Sequence, residues 1–192
     1  MVKENTELMA EARASLSGNW GLAVGTFLVY TIIVGTLQVI PVVGSVIGLF
    51  IAGPMLVGIS MFSLSLSRGE NARLEQIFEG FKNYGTVLGA YLLMVVLILL
   101  WMLLLIIPGI IAAIAYSQTF YILAEDDAIS SMDALKKSKE MMDGYKWKYF
   151  CLGLRFIGWA LLCILTLGIG FLWLSPYIQI SYAKFYEDIK TA

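Results

Sequence analysis

The chain has 192 residues, of which 59% are hydrophobic and only 14% are charged. Soluble domains contain about 25% charged residues, and a soluble protein this small would have to expose large apolar patches. These figures exclude an ordinary soluble domain and predict an integral membrane protein. The net charge of −1 excludes a global attraction to nucleic acid.

Residues suited to catalysis or metal binding are scarce. Histidine is absent, which removes the commonest general base and metal ligand. The two cysteines, Cys151 and Cys163, are not spaced as CxxC and stand in apolar surroundings. We expect them to be core or lipid-facing residues. The sequence therefore predicts no enzyme activity, no cofactor and no metal site.

The first apolar region lies between Arg13 and Arg68, where no charged residue occurs. One membrane span needs about 20 residues, so this gap is long enough for two. A turn signal, Pro41–Ser45, divides it. We predict span one at Asn19–Ile40 and span two at Val46–Leu66.

Two further charge-free gaps follow, Lys82–Glu125 and Arg155–Lys184. Each contains a turn signal, Pro108-Gly109 in the second gap and Gly168–Gly170 in the third. We predict the remaining four spans in and next to these gaps. The third and fourth are Tyr84–Ile107 and Gly109–Ala124, the fifth begins near Tyr149, and the sixth ends near Phe185.

Short amphipathic segments precede the three apolar pairs. Their apolar residues recur at helical spacing, which is typical of helices in the membrane interface. The predicted fold is an all-α membrane protein with six transmembrane helices, arranged as three hairpins with short cytoplasmic interfacial helices, in a single domain 1–192. The apolar positions are Leu8, Ala12 and Leu16; Leu74, Ile77, Phe78 and Phe81; and Ile129, Met132, Leu135 and Met142.

The three hairpins also resemble an internal repeat. Gly48, Gly109 and Gly170 are each 61 residues apart, and regular self-similarity of this kind indicates a repeated structural unit. We predict repeats at 1–66, 67–127 and 128–192. The alternative is a chance alignment of residues that are common in membrane helices.

Basic residues are distributed very unevenly. Twelve of the thirteen lie at the termini or in the two segments near 68–82 and 125–148. The three hairpin turns carry none. By the positive-inside rule, both termini are expected to be cytoplasmic, in a multi-pass protein of the cell membrane.

Several segments resemble a known family: LLIIPGIIAAIAYSQTFYILA at 104–124, GWALLCILTLGIGFLWLSPYIQISYAKFYEDI at 158–189, GNW at 18–20 and RGE at 68–70. Over nearly its whole length the chain resembles the bacterial membrane-protein family called domain of unknown function 975. That family is distantly similar to the membrane domain of glycerophosphodiester phosphodiesterases. The resemblance implies a membrane fold and no activity, because no catalytic domain is present.

Four polar residues are candidates for an intramembrane site. Arg155 is the one charge inside a predicted span and is a functional candidate by position; its alternative is a structural arginine that snorkels to the headgroups or pairs with an acid at a neighbouring span end. Gln118, Gln179 and Asn19 could line a polar path. Their alternative is hydrogen bonding between helices, worth about 0.6 to 2 kcal/mol each.

Two charged clusters lie next to the predicted spans. The lysines could contact anionic lipid, or form a solvated helix face. The acids Glu125–Asp127 could hold a divalent cation, although neighbouring residues at a helix end point in different directions and favour a capping or loop role. The candidate lipid contacts are Lys136, Lys137, Lys139, Lys146 and Lys148.

Two functions fit these features. The first is a non-enzymatic multi-pass membrane protein that organises lipid or joins a membrane assembly, with the lipid bilayer, anionic lipids, a membrane-protein partner or a second copy as partners. The alternative is a small transporter or channel component for a peptide or lipid, since many transporters are built from repeats. A nucleic-acid partner is not expected.

Overall fold

The computed structural model describes residues 2–38 and 43–191, and this part of the chain is helical with no strand. Its α-helices are α1 (Asn5–Leu16), α2 (Trp20–Gln38), α3 (Val43–Ser67), α4 (Tyr84–Leu104), α5 (Ile106–Ala115), α6 (Thr119–Glu125), α7 (Ser131–Met141), α8 (Lys146–Leu165) and α9 (Phe171–Lys190). A 3-10 helix, Leu74–Phe81, joins α3 to α4.

Four segments of the described chain are long and apolar enough to cross a membrane: Val46–Ser67, Tyr84–Leu104, Ile106–Glu125 and Lys146–Leu165. A fifth is added if α1 and α2, which meet at a 97° bend, form one broken span. The remaining long helix, α9, has four charged residues among its last seven. The structure thus supports an all-helical membrane protein with four to five candidate spans.

Helix α3 is the centre of the bundle. Half of its apolar stretch is buried inside the protein, compared with 11% for α4 and 17% for α8. The four serines near its end, Ser60, Ser63, Ser65 and Ser67, are all buried. Small hydroxyl residues let neighbouring helices approach, and α3 accordingly packs against α2, α4, α6 and α9.

The turn between α4 and α5 differs from the predicted one. Leu105 alone is extended, with φ −159° and ψ 142°, and α5 begins at Ile106. Pro108 and Gly109 therefore lie in the first turn of α5, where proline is tolerated because it lacks an N–H that would have no partner there. The third predicted turn is confirmed at 166–170. Of the first, Pro41–Ser45, residues 41 and 42 lie outside the described residues, and the other three begin α3.

The predicted fourth span is not one continuous helix. It is broken at 116–118 between α5 and α6. Tyr116 has φ −94° and ψ 3°, which ends the regular α-helix. The Ser138 hydroxyl donates to the Ala115 carbonyl (2.9 Å) and accepts from the Gln118 N–H (3.1 Å). A side chain from α7 thus replaces hydrogen bonds that the break removes.

The second interfacial segment has a different helix type from the one expected. Four apolar residues were predicted to share an α-helical face, but Phe78 and Phe81 are exposed. The segment is a 3-10 helix, whose three residues per turn align positions i and i+3. Leu74, Ile77 and Gly80 therefore face inward, and Ile77 is fully buried.

The first and third interfacial segments agree better with the prediction. Leu8, Ala12 and Leu16 are all completely buried along one face of α1. In α7, Ser130 caps the helix by accepting a hydrogen bond from the Asp133 N–H at 3.2 Å. The predicted apolar face of α7 is only partly correct: Leu135 and Met142 are buried, but Met132 is 49% exposed.

Tyrosines near the ends of membrane spans commonly form an aromatic belt at the membrane interface. Instead, Tyr121 and Tyr186 are buried and stacked, with ring centroids 5.3 Å apart. Tyr182 stacks on Tyr149 at 4.7 Å. Their aromatic rings fill the core between α6, α8 and α9, where ring pairs contribute packing beyond area burial.

Candidate functional site

Of the five lysines proposed as lipid contacts, two are engaged elsewhere. Lys148 pairs with Asp188 at 3.1 Å, where the carboxylate side chain is only 7% exposed. Asp188 also accepts from the Lys3 backbone N–H at 3.0 and 3.2 Å. This contact joins the N-terminus, α8 and α9. Lys137 faces a different cleft, described below.

The other three lysines share one hollow. Lys136, Lys139 and Lys146 line a cavity of about 380 Å³ together with Glu140 and Asp143. Lys146 lies 3.4 Å from Asp143, whose side chain is 84% exposed, so this pair is weak. Lys136 also lies 3.8 Å from Asp133, so the positive charge in the hollow that no described acid pairs with is that of Lys139, at the junction of α7 and α8.

A polar cluster that the sequence did not predict joins three helix ends. The Arg68 guanidinium donates to Glu125 and, from Nε, to Glu187 at 3.1 Å. Lys190 donates to both Glu125 oxygens at 2.9 and 2.7 Å, and the Tyr186 hydroxyl donates to Glu125 at 2.6 Å. We call these five residues the Arg68 cluster.

The Arg68 cluster is held by charge-assisted hydrogen bonds. Burial lowers the pKa of the Arg68 guanidinium, but its hydrogen bonds to Glu187 and Glu125 outweigh burial and raise that pKa above its ordinary value. Arg68 therefore stays fully charged at every physiological pH. Its side chain is 31% exposed. The Arg68 cluster therefore lies near the protein surface and is not a deeply buried ion network.

A cleft of about 640 Å³ opens beside the Arg68 cluster. Its walls carry both signs of charge, including Lys137, Glu70, Asp126 and Asp127. The predicted divergence of the adjacent acids is confirmed: Glu125 binds Arg68, Asp126 accepts from the Ala128 N–H (3.0 Å), and the Asp127 carbonyl accepts from Asn83. The carboxylates of Glu125 and Asp126 thus bind separate partners, and Asp127 contributes only its backbone carbonyl.

The two glutamines occupy different environments. Gln118 is completely buried at the α5–α6 break, and its side-chain amide donates to the Ser117 hydroxyl at 2.8 Å. Its Oε1 has no hydrogen-bond partner among the described residues. Gln179 accepts from the Tyr121 hydroxyl through both its side chain (3.1 Å) and its backbone carbonyl (3.2 Å). Gln179 thus links α6 to α9.

Arg155 and Asn19 are both exposed. Arg155 lies nine residues into α8, about 13 Å from its start, and it forms no salt bridge with any residue in the described ranges. Of the acids at neighbouring span ends, Glu125 and Glu187 both bind Arg68. Asn19 precedes α2, and its carbonyl accepts from the Ala23 N–H. The four candidate residues do not converge on one site.

Two features of the site could not be identified from the sequence. Arg68 is separated from Glu125 and Glu187 by 57 and 119 residues, so no local pattern connects them. The one available signal was that both acids lie at the ends of helices returning to the same predicted side. Ser138 is an ordinary polar residue on an amphipathic helix, and its role depends on a helix break that was not predicted.

Comparison with known proteins identifies a family for the chain. No curated protein and no solved structure matches it. A family model described as "Protein of unknown function (DUF975)" matches residues 1–113 and 102–192, which together cover the whole chain. The conclusion from this match is that the chain belongs to the family of proteins of unknown function DUF975.

Proposed function

We propose that this chain is a six-span protein of the bacterial cell membrane that organises anionic lipid at the cytoplasmic face without catalysing a reaction. The observation that carries the proposal is the separation of two surfaces. Exposed apolar residues gather at one end of the long helices, whereas five lysines lie in α7 and at the start of α8. This distribution matches a lipid leaflet, with its apolar chains and charged headgroups.

The exposed fractions of individual side chains show the apolar end. Leu103 is 87% exposed, Ile107 72%, Leu165 80% and Leu167 94%. A continuous apolar surface of this kind is stable only when lipid or protein covers it. The likeness of the second and third units is also supported, because a Cβ on Gly109 would meet Met102 and one on Gly170 would meet Cys163, whereas one on Gly48 meets nothing within 4 Å. Met102 and Cys163 are themselves 61 residues apart.

The lipid environment of the protein tests this function. We expect membrane discs cut out around the protein by an amphipathic polymer to contain more anionic phospholipid than discs from the same membrane without it. Quantitative lipid mass spectrometry measures the difference. Equal anionic fractions in the two preparations would contradict the proposed function.

The topology provides an independent prediction. After replacement of Cys151 and Cys163, single cysteines at Leu105 and Leu167 are expected to react with a membrane-impermeant maleimide in intact cells. Cysteines at Lys82 and Lys137 should react only after lysis, because the positive-inside rule places them in the cytoplasm. Labelling of Lys82→Cys in intact cells, or of only one of the two turns, would rule out six spans with cytoplasmic termini.

Transport of a lipid or peptide is the second candidate. It is favoured by the α5–α6 break beside buried Gln118, since discontinuous helices form the binding sites of many transporters. A fluorescent phospholipid in both leaflets of proteoliposomes discriminates between the two functions. If the protein only organises lipid, dithionite quenches only the fluorescence of the outer leaflet, about half of the total. Complete quenching in sealed vesicles would favour lipid transport.

Further partners follow from the same surfaces. A membrane-protein partner or a second copy could cover the apolar faces of α4 and α8, which are mostly unburied within one chain. A distant likeness to the membrane domain of glycerophosphodiester phosphodiesterases stays a prediction, and it implies no phosphodiesterase activity because the chain contains no histidine.

A further inference from the structure

An apolar groove of about 200 Å³ runs along one face of α5. Its floor is formed by Pro108, Ile111, Ala112 and Ala115, which are spaced at i, i+3, i+4 and i+7 and therefore share a face. Trp101, at the end of α4, forms one wall. The small side chains of the two alanines leave the space that a larger residue would fill.

The groove ends at a pair of cationic side chains. Lys139 and Lys146 line it next to Tyr116, and the same two lysines line the basic hollow shared with Lys136. The groove and the hollow therefore adjoin. The Ser138 bond to the Ala115 carbonyl holds α7 against this end of α5, so the position of Lys139 is set by the fold.

These two lysines have charge available for a ligand. Lys139 forms no salt bridge with any residue of the part of the chain that the structure describes, and Lys146 has only the weak contact with Asp143. Lys148, by comparison, is neutralised by the nearly buried Asp188. An anion at the mouth of the groove would therefore meet positive charge that no protein carboxylate has fully satisfied.

The dimensions of the groove select a lipid over a small anion. From Pro108 to Tyr116 it extends eight residues, or about 12 Å along α5. One leaflet of the hydrocarbon core is about 15 Å thick. A phosphate held by the lysines would thus direct an attached acyl chain along Ala115 and Ala112 towards Trp101, with apolar contact for most of its depth.

We propose that the α5 groove, with Lys139 and Lys146 at its mouth, is a binding site for an anionic phospholipid of the cytoplasmic leaflet. This inference rests on the proposed lipid-organising function and assigns it to one site. The phosphate of the headgroup binds between the two ammonium groups. One acyl chain occupies the groove, and Lys136 adds positive charge beside the headgroup.

Native mass spectrometry of the purified protein with phosphatidylglycerol or phosphatidylcholine tests the site. The wild type is expected to retain phosphatidylglycerol preferentially. The double variant Lys139→Gln/Lys146→Gln should bind it about thirtyfold more weakly, from about fivefold per lysine. The matched control Lys3→Gln/Lys82→Gln removes the same charge away from the groove and should bind like the wild type.

Two further measurements identify the ligand that occupies the groove. Ala112→Phe fills the groove and should reduce lipid retention while all lysines remain, and inorganic phosphate alone should not change the melting temperature as phosphatidylglycerol does. Equal binding by both lysine variants would overturn the site while leaving the proposed function intact. A wild type without preference for anionic lipid would overturn both. An equal shift with phosphate, or a changed oligomeric mass in Ala112→Phe without lipid loss, would overturn the lipid assignment.

Discussion

Gly58→Ala is expected to destabilise the protein by about 3 kcal/mol, the upper end of the usual range for overpacking. Gly58 is buried in the middle of α3, where a Cβ would meet the backbone of Ile77 in the 3-10 helix, including its Cα at 2.7 Å. A rigid backbone cannot move aside as a flexible side chain can. Thermal unfolding in detergent should show a loss of about 10 °C in apparent melting temperature.

The matched control is Gly25→Ala in α2. A Cβ there meets nothing within 4 Å, so the same substitution should be neutral or stabilise the helix by up to about 1 kcal/mol. Gly80→Ala should behave like Gly58→Ala, because its Cβ would meet Pro54 of α3 from the opposite side of the contact. If Gly58→Ala melts at the temperature of Gly25→Ala, the 3-10 helix does not pack against α3 as described.

Arg68→Gln is expected to cost about 2–3 kcal/mol, the range for hydrogen bonds to charged groups. Arg68 joins the end of α3 to Glu125 of α6 and Glu187 of α9. Its removal leaves Glu187 without a cation, whereas Glu125 keeps Lys190 and Tyr186. The partial exposure of the guanidinium keeps the cost below that of a fully buried pair.

A double-mutant cycle isolates this interaction. Adding Glu187→Gln to Arg68→Gln should recover part of the lost stability, because the carboxylate left without a partner is removed. Arg73→Gln serves as the control, since Arg73 is exposed and forms no salt bridge with the described residues. Strictly additive losses at Arg68 and Glu187 would show that the two side chains do not interact.

Both predictions concern contacts that hold the helices of the bundle together. The Arg68 cluster and the α3 glycines fasten the helices at the charged end of the bundle, where Lys184 of α9 also donates to the Ser67 carbonyl at the end of α3. At the opposite end, the turns at Leu105 and Leu167 project exposed apolar side chains. Lipid therefore has more access to the helices away from the charged end.

Much of the helical pattern could be predicted from the sequence. Charged residues are costly inside a bilayer, so gaps without charge mark apolar helices. The predicted starts at Val46 and Tyr84 lie within a few residues of the starts of α3 and α4. Local chemistry also predicted the Ser130 cap and the buried face of α1, because caps and helical periodicity depend only on residues a few positions apart.

The candidate site was less predictable, because each lysine had the same local appearance. Lys148 and Lys139 both lie shortly before the predicted fifth span, yet Asp188 neutralises only Lys148. That choice depends on a residue 40 positions away. The role of Arg68 was likewise not predictable, because its partners Glu125 and Glu187 are 57 and 119 residues away.

The sequence by itself determined that this protein is helical, apolar and charged in four separate segments, because these properties follow from composition and short-range periodicity. Only the tertiary structure decided that Leu74–Phe81 is a 3-10 helix, that α5 and α6 are separate, and which lysines remain unpaired. Each of these depends on a contact between distant segments: Gly58 against Ile77, Ser138 against Ala115, and Asp188 against Lys148. Such contacts form only when the helices pack, and packing is set by the shapes and charges of all of them together.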